Sequence, residues 1–260
     1  MRAGSRLSMF RDRVKNGTFL TVTMTASTGL SLTLCIDYHT PGVVKWGDGT
    51  ESAGSGQNLK VSHTYPAYGD YVINLEGVRS VGFRTLDGQP QCTWDAAVTS
   101  LIDNTGSIVS SRSAAFKRAV NLEEVYLPEC TWLGQRDFAY CSKLKSVYIP
   151  KSEICYDGTF QNCTSLETVE PMVGGTFWSY VFMGCTSLRT LTLTGITQFA
   201  TQDFANTGLT DIYLPGKYKA QLKGTADYGN IVHGYGAVFP WGASSSCRFH
   251  CEDGILLGGE

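Results

Sequence analysis

A repeat of 22 residues in the second half of the chain constrains the fold more than any other feature of the sequence. A phenylalanine recurs at this interval, and a leucine follows it after six residues. A fixed period of this length is typical of a solenoid, in which each coil buries its apolar side chains against neighbouring coils. The phenylalanines are Phe116, Phe138, Phe160, Phe182 and Phe204, and the leucines are Leu122, Leu144, Leu166 and Leu188, with Leu209 one residue early in a shorter last coil.

A short strand-like segment follows the leucine in every coil. Its alternate positions predict the inward-facing pairs Val125/Leu127, Val147/Ile149, Val169/Pro171, Leu191/Leu193 and Ile212/Leu214. Because side chains alternate between the two faces of a strand, the intervening residues are expected on the outward face. That outward column comprises Tyr126, Tyr148, Glu170, Thr192 and Tyr213, flanked by Glu124, Ser146, Thr168, Thr190 and Asp211.

The tyrosines of this column have two interpretations. Tyrosine offers a large contact area at low entropic cost, which suits stacking on a sugar or anchoring a protein partner. Tyrosine and threonine also favour exposed strand positions through β propensity alone. With both interpretations open, the candidate ligand-binding residues are Tyr126, Tyr148, Glu170, Thr192, Tyr213, Glu124 and Asp211.

The coils, from AFKRAVNLEEVYLP to DFANTGLTDIYLP, resemble the BspA-type leucine-rich repeat family, whose coils run AFxxCxxLxxIxLP. The resemblance covers five coils, residues 112 to 215, because aromatic, cysteine, leucine and proline positions recur together. It implies a right-handed solenoid with a short parallel strand in every coil. Trp94, Ala97 and Leu101 precede the first coil and predict a degenerate sixth coil that caps the stack.

Three of the nine cysteines, Cys141, Cys163 and Cys185, occupy one place in successive coils. Ala119 and Thr207 hold that place in the first and last coils, so a small side chain suits it without a covalent bond. Two alternatives stay open. The thiols are either free and packed as small hydrophobic groups, or one disulfide joins adjacent coils.

The segment before the repeats alternates apolar and polar side chains, as half-buried strands do. Its motifs WGDGT (46–50) and HTY (63–65), followed by Gly69, Tyr71 and Ile73, resemble the polycystic kidney disease (PKD) domain. The resemblance implies an immunoglobulin-like β-sandwich that acts as a spacer or protein-binding module, with a structural role for His63.

Two groups of residues invite a metal interpretation that their spacing does not support. Asp48, Glu51 and Asp70 match no calcium loop and are interpreted as turn-forming or solvent-facing residues. In the tail, Cys247 and Cys251 share one face of a predicted strand whereas His250 faces the other, and no second ligand pair exists. We therefore predict no metal, and either a Cys247–Cys251 link or buried thiols.

The predicted fold class is mainly β, with an N-terminal immunoglobulin-like sandwich followed by a solenoid of about five 22-residue coils. The predicted segments are a flexible basic arm (1–16), the PKD-like sandwich (17–78), the solenoid (79–215, with residues 79–111 as its N-terminal cap) and a capping helix with a hairpin (216–260). The helix candidate is GKYKAQLKG, and Asp253-Gly254 is placed in the hairpin turn.

Composition and motifs exclude several classes of function. Lysine and arginine number 21 against 23 aspartate and glutamate, so no basic field indicates a nucleic-acid partner. No stretch approaches 18 apolar residues, and the basic start lacks the apolar run of a secretory signal, so membrane insertion is not predicted. Localisation stays open between cell surface, extracellular space and virion. Nucleophile elbows, phosphate loops and dinucleotide motifs are absent, so neither an enzyme nor a cofactor is predicted.

The leading hypothesis is a non-catalytic recognition or adhesion protein of bacterial or phage type, which binds a protein or glycan through the outward sheet face. The alternative is a structural component of a larger assembly, a virion or cell-surface appendage. A hydrolase of surface polymers would need an acidic pair in a cleft. In the assembly hypothesis, or in a homo-oligomer, the basic arm holds a neighbour through Arg2, Arg6, Arg11, Arg13 and Lys15, whereas a disordered tail is the simpler interpretation.

Overall fold

The structure, a computed structural model, is built almost entirely of β-strands. It describes residues 16–82, 95–111, 113–170, 172–173, 175–194, 203–204, 206–209, 211–214, 248–251 and 255–257. Within these ranges there is no α-helix, so the mainly β prediction is confirmed; a 3₁₀ turn spans Asp95–Ala97. The strands are β1 (Thr18–Met24), β2 (Ser31–Lys45), β3 (Glu51–Gly54), β4 (Leu59–Thr64), β5 (Gly69–Gly82), β6 (Val98–Asp103), β7 (Glu124–Tyr126), β8 (Trp132–Leu133), β9 (Ser146–Tyr148), β10 (Ile154–Cys155), β11 (Thr168–Val169), β12 (Thr176–Phe177), β13 (Thr190–Thr192), β14 (Asp211–Leu214), β15 (Arg248–Cys251) and β16 (Ile255–Leu257).

The N-terminal part is an antiparallel arrangement built on two long strands, β2 and β5. β5 pairs with both β1 and β2, and β2 pairs in addition with β3 and β4. The β2–β5 register shifts between Tyr38 and Val43, so the two halves of β2 pair with different short strands. All five strands belong to a single hydrogen-bonded sheet. The two-sheet sandwich is therefore not confirmed and stays a prediction.

The first sheet continues from these strands into the solenoid. β6 pairs antiparallel with β1 and parallel with β7, and β9 and β11 follow in parallel. Leu101, assigned from the sequence to a capping coil, lies on β6 beside Val125, while Trp94 lies outside the described residues. One inward row crosses the sheet in register, and its members are at most 6% exposed: Ile73, Leu20, Leu101, Val125, Val147 and Val169. A single core thus runs through both parts, and β5 itself continues through Gly82, past the predicted boundary at residue 78.

The solenoid has a second parallel sheet, formed by β12, β10 and β8. These strands recur every 22 residues and pair in register, which gives about three turns with a strand in each sheet. The predicted count of five coils is not confirmed. Between the sheets the phenylalanine rings stack, with successive centroids 5.3, 5.5, 5.6 or 6.3 Å apart and planes within 10° of parallel. The stacked, buried residues are Phe116, Phe138, Phe160, Phe182 and Phe204.

The cysteine ladder consists of free, buried thiols. Each Sγ donates to the backbone carbonyl oxygen of a phenylalanine 25 residues earlier, at 3.1 to 3.2 Å: Cys141 to Phe116, Cys163 to Phe138 and Cys185 to Phe160. The free-thiol alternative is therefore correct for these three cysteines. Burial also raises the pKa of the Cys163 thiol to about 12, so the ladder is unreactive near neutral pH.

The turns of the solenoid repeat as regularly as its strands. Two places in each coil have a positive φ, an uncommon conformation for residues other than glycine. One place is held by Ala114, Arg136, Gly158 and Tyr180, and the other by Arg118, Tyr140, Asn162, Gly184 and Asn206.

The first sheet ends at β11, and β13 begins a separate sheet in the order β13, β14, β15, β16. In the first coil, the Leu127 amide donates to the Tyr148 carbonyl. Two periods of 22 residues further along the chain, the corresponding residues are Pro171 and Thr192, and proline has no N–H to donate. The Met172 amide donates to the Thr192 carbonyl instead, at 3.1 Å, so the register shifts by one residue. At the C-terminus, β15 and β16 pair antiparallel, as the predicted hairpin requires, while the predicted helix lies outside the described residues.

Candidate interaction surface

The outward face of the first sheet carries an apolar and aromatic row that crosses the junction between the two parts. Phe19 on β1 lies beside Ile102 on β6, and Tyr126 on β7 and Tyr148 on β9 follow in register. The structure thus brings two predicted residues, Tyr126 and Tyr148, together. The sequence did not reveal Phe19 and Ile102, because the pairing of β1 with β6 joins segments far apart in the chain.

Tyr126 and Tyr148 stack on each other. Their ring centroids are 4.7 Å apart and their planes differ by 12°. Each ring therefore covers one face of the other. The stack leaves no room for a sugar ring between the two tyrosines.

A polar row lies beside the aromatic one on the same face: Thr21, Ser100, Glu124, Ser146 and Thr168. Glu124, predicted on the exposed face, is only 8% exposed, and its strand is paired on both sides, by β6 and β9. Burial raises the pKa of its carboxyl group. No described residue hydrogen-bonds to its Oε1 atom. The polar row therefore contains a desolvated acidic group at its centre.

The remaining predicted site residues do not extend the rows of the outward face with the same regularity. Glu170 follows Tyr148 in the next coil, where its amide donates to the Val147 carbonyl. Thr192 pairs with Tyr213, and Thr190 with Asp211, but these pairs belong to the separate sheet that begins at β13. The side chains of Tyr213 and Asp211 lie outside the description. The column predicted as continuous is thus divided after β11.

A groove lies at the Asn74 end of the aromatic row, where Asn74 pairs with Phe19. It has a volume of about 330 Å³ and is lined in part by Asn74, Glu76, Thr105 and Ser107. Lys45 holds the Glu76 carboxylate, whereas no described residue hydrogen-bonds to the buried Oδ1 atom of Asn74. The row therefore ends beside groups able to bind a polar ligand.

A second aromatic surface, not found from the sequence, lies on the other sheet. Trp132 and Trp178 are 37% and 48% exposed, and Tyr156 lies between them. Tyr156 stacks on Trp178 with centroids 5.4 Å apart and meets Trp132 edge-on at 5.5 Å. The three residues are spaced by 24 and then 22 positions on or beside strands of two residues, so no regular period drew attention to them.

The WGDGT and HTY motifs of the N-terminal part form a connected network of side chains. His63 stacks on Trp46, and its Nε2 atom lies 2.7 Å from Asp48 Oδ2. Burial would raise the pKa of Asp48, but hydrogen bonds from Thr50 and His63 outweigh it and hold that pKa at about 2. Tyr65 donates to the Trp46 carbonyl and completes the cluster. This arrangement supports the structural role expected for His63.

The three N-terminal acidic residues interpreted as turn-forming or solvent-facing have different surroundings. Asp48 accepts hydrogen bonds from Thr50 within the turn, Asp70 accepts one from Thr23 across the β1–β5 pair, and Glu51 is exposed. In the described part of the chain, no group of three or more histidine, cysteine, aspartate or glutamate side chains is placed to hold a metal ion. The Cys247, His250 and Cys251 side chains lie outside the description.

Two parallel sheets around a stacked phenylalanine core define the second part of the molecule as a leucine-rich β-solenoid. The sequence model of the family described as BspA type leucine rich repeat region matches residues 109–221, in six copies. The leucine-rich repeat resemblance is therefore confirmed for that region. Repeats of this kind are typically non-enzymatic. The PKD resemblance of the N-terminal strands stays a prediction.

A solved structure of a leucine-rich repeat protein from Bacteroides ovatus is similar to part of this chain. The similarity covers 49% of this chain and 41% of that one, with 21% identity and a TM-score of 0.34. This chain thus matches less than half of that protein's length. No curated protein matches the chain. Among the described residues, no helix has the length and apolar character needed to span a membrane.

Proposed function

We propose that this chain is a non-catalytic recognition protein that binds a macromolecular partner, a protein or a glycan, through the outward face of its first sheet. The carrying observation is the in-register row of Phe19, Ile102, Tyr126 and Tyr148, in which the buried Ile102 joins the partly exposed Phe19 to the partly exposed tyrosine pair across two parts of the molecule. Aromatic side chains of this kind supply much of the binding energy at protein interfaces.

A protein partner is the better supported of the two. The stacked rings leave no gap into which a sugar ring could insert, and together they form one broad aromatic surface. Such a surface suits a protein interface, at which tyrosine is enriched. Leucine-rich repeat proteins usually bind proteins, which agrees with this choice.

The test compares one double variant with one single-substitution control in a screen against glycans and candidate protein partners. Tyr126→Ala/Tyr148→Ala is expected to weaken binding of any identified partner by at least about tenfold, since a tyrosine hot spot contributes roughly 2 kcal/mol or more. Tyr140→Ala is the matched control, because Tyr140 is an exposed tyrosine at a turn outside this face. Unchanged affinity in the double variant would rule out this face as the site.

The second candidate function, a component of a larger assembly, is favoured by the other aromatic surface. Trp132 and Trp178 remain substantially exposed, and exposed tryptophans are commonly covered in protein contacts. Sedimentation velocity over a range of concentrations tests self-assembly. The assembly hypothesis expects larger species that Trp132→Ser/Trp178→Ser converts to monomer, whereas a monomer at every concentration would count against a homo-oligomer.

A further inference from the structure

The outward face of the second sheet gathers three aromatic rings from three successive coils. Strands β8, β10 and β12 pair in register, so one outward row consists of Trp132, Ile154 and Thr176. Two residues further along the same coils, the next row consists of Gly134, Tyr156 and Trp178. Because Gly134 has no side chain, the indole of Trp132 has room to lean across it, and its ring centroid lies 5.5 Å from that of Tyr156.

The orientation of the rings leaves the flat faces of Trp132 clear of the other two. Tyr156 and Trp178 are nearly parallel, with planes 15° apart, whereas the planes of Trp132 and Tyr156 are 86° apart. Trp178 lies one coil after Tyr156 and Trp132 one coil before it, so Trp132 meets the remaining face of Tyr156 with an edge. Trp132 is 37% exposed. Its indole therefore provides an accessible flat surface beside a ring that stands upright.

Hydrogen-bonding groups border the three rings. The next residue in each coil is polar, and these residues are Gln135, Asp157 and Ser179. Gln135 Nε2 donates to Asp157 Oδ2 at 3.3 Å, and the Ser179 amide donates to Asp157 Oδ1 at 3.0 Å. Gln135 is exposed, and the other two are half-buried. A ligand that lies on the rings thus meets amide, carboxylate and hydroxyl groups along one side.

The exposed area of the rings suits a small ligand better than a second copy of the chain. Aromatic side chains bury about 150 to 250 Å² each, and these three are less than half exposed, so together they offer on the order of 300 Å². A standard protein interface buries about 800 Å² on each partner. The aromatic strip is about 10 Å long, since neighbouring strands lie about 4.8 Å apart. Its dimensions therefore match a short oligosaccharide.

The charges around the rings favour a neutral ligand. In the segments that carry the rings, residues 131–136, 151–158 and 176–180, the basic residues are Arg136 and Lys151 and the acidic residues are Glu153 and Asp157. Lys151 is paired with Glu129 at 2.6 Å. These segments contain no cluster of basic side chains, which an anionic glycan would need for electrostatic attraction.

We propose that Trp132, Tyr156 and Trp178 form a binding site for a neutral oligosaccharide. A sugar ring has C–H groups on its faces and hydroxyl groups around its rim. The electron-rich face of the Trp132 indole attracts the C–H groups, while Gln135 and Asp157 bond to hydroxyl groups at the rim. This site is separate from the Tyr126–Tyr148 surface, so it goes beyond the function proposed above.

The first experiment measures binding of defined hexasaccharides by isothermal titration calorimetry, with tryptophan fluorescence as a second readout. The neutral probes are hexasaccharides of glucose (β- and α-linked), xylose and N-acetylglucosamine, and the anionic probe is hexagalacturonate. We expect at least one neutral probe to bind and to change the fluorescence, and the anionic probe to bind at least about tenfold more weakly. Binding of none of the neutral probes, or tighter binding of the anionic one, would overturn the assignment.

The second experiment separates ring stacking from simple apolar contact. Trp132→Leu keeps an apolar side chain without an aromatic face and is expected to weaken binding of the neutral probe by at least about tenfold. Trp132→Phe keeps an aromatic face and should stay within about threefold of the wild type. Tyr68→Ala is the control, because Tyr68 is 57% exposed in the N-terminal part. Equal affinities in the leucine and phenylalanine variants would refute stacking on Trp132.

A polar variant keeps the assignment testable if the Trp132 variants do not fold. Gln135 is exposed, and Gln135→Ala removes its amide from the border of the rings. This variant is expected to weaken binding of the neutral probe by about threefold to tenfold, as for the loss of one hydrogen bond. An unchanged affinity would argue against contact between the sugar and this border.

The outcomes also separate this inference from the two proposed functions. Loss of the neutral probe in Tyr126→Ala/Tyr148→Ala, with full binding in Trp132→Leu, would place the glycan on the first sheet and overturn the present assignment. Sedimentation velocity addresses the other alternative. Oligomers of the wild type that the neutral probe does not dissociate, and that Trp132→Ser/Trp178→Ser converts to monomer, would show that a second copy covers the rings and would likewise overturn it.

Discussion

Buried acidic side chains in this molecule occupy three environments that the sequence does not distinguish. Asp103 accepts hydrogen bonds from Thr18 and from the backbone of the loop that follows it. Asp48 is held by Thr50 and His63, which lower its pKa to about 2 against the opposing effect of burial. Asp137 has one oxygen without a hydrogen bond from any described residue. The balance of hydrogen bonding and burial therefore shifts the pKa of Asp48 and the pKa of Asp137 in opposite directions.

Replacing Asp137 with asparagine is expected to remove a pH dependence of stability. Burial raises the pKa of Asp137 to about 8, although hydrogen bonds from Ser111 and Ala115 oppose the shift. Between its unfolded pKa, near 4, and about pH 8, the folded state keeps a proton that the unfolded state loses, so stability falls as pH rises. The slope is on the order of 1 kcal/mol per pH unit and should be smaller in Asp137→Asn. Urea unfolding between pH 4 and pH 9 measures it, and identical slopes would contradict the shift.

The Phe160→Ala variant tests whether the phenylalanine stack belongs to the hydrophobic core. Phe160 is fully buried and stacks on Phe138 and Phe182. The substitution is expected to lower the free energy of unfolding by about 3 to 5 kcal/mol, as for other large cavities. Chemical denaturation provides the measurement, with the exposed Tyr140→Ala as control. A loss below about 1 kcal/mol would be incompatible with a packed stack.

At the level of elements, the sequence predicts the strands and core residues that repeat at a strict period, and it misses those that depend on pairing between distant segments. The 22-residue period predicted the stacked phenylalanines and the inward valines of the first sheet. It did not predict the second sheet, because strands of two residues carry almost no alternation. Pro171 was visible within the pattern, but only the hydrogen bond from Met172 to Thr192 showed that it shifts the register.

Gly184→Ala tests whether the repeated turn conformation limits stability. Gly184 has a φ of 76°, and an added Cβ would lie 2.2 Å from Asn162 Oδ1. We expect a loss of about 1 to 2 kcal/mol from the backbone conformation, increased by this contact. Asn162→Gly in the same background removes the contact and should restore part of the loss. Thermal unfolding of the single and double variants measures both effects. An unchanged thermal midpoint in Gly184→Ala would show that the turn accepts a side chain without loss of stability.

At the level of the whole molecule, one sheet joins parts that the sequence assigned to separate units. The PKD-like motifs and the repeats were recognised separately because each has its own pattern. Their union depends on β6, which pairs with β1 on one side and β7 on the other. Pairing between segments so far apart leaves no local pattern in the sequence. For the same reason the row of residues on the outward face extends further than predicted, through Ile102 to Phe19.

Leu20→Ala should destabilise both parts together. Leu20 is fully buried on β1 and lies in register with Ile73 and Leu101. A loss of about 2 to 5 kcal/mol is expected, with faster hydrogen exchange at Val125 in the solenoid as well as in β2. Exchange measured by mass spectrometry checks this, with the exposed Val72→Ala as control. Unchanged protection of Val125 would mean that the two parts unfold independently.

The antiparallel pairing of β1 with β6 has a further consequence for growth of the stack. A parallel solenoid has an open strand edge at each end, and such an edge can template the addition of another chain. Here β1 occupies that edge with its chain direction reversed, and β5 covers β1 in turn. A second molecule cannot extend this end by adding a parallel coil. End-to-end polymerisation of the solenoid by addition of a parallel coil is therefore blocked on this side.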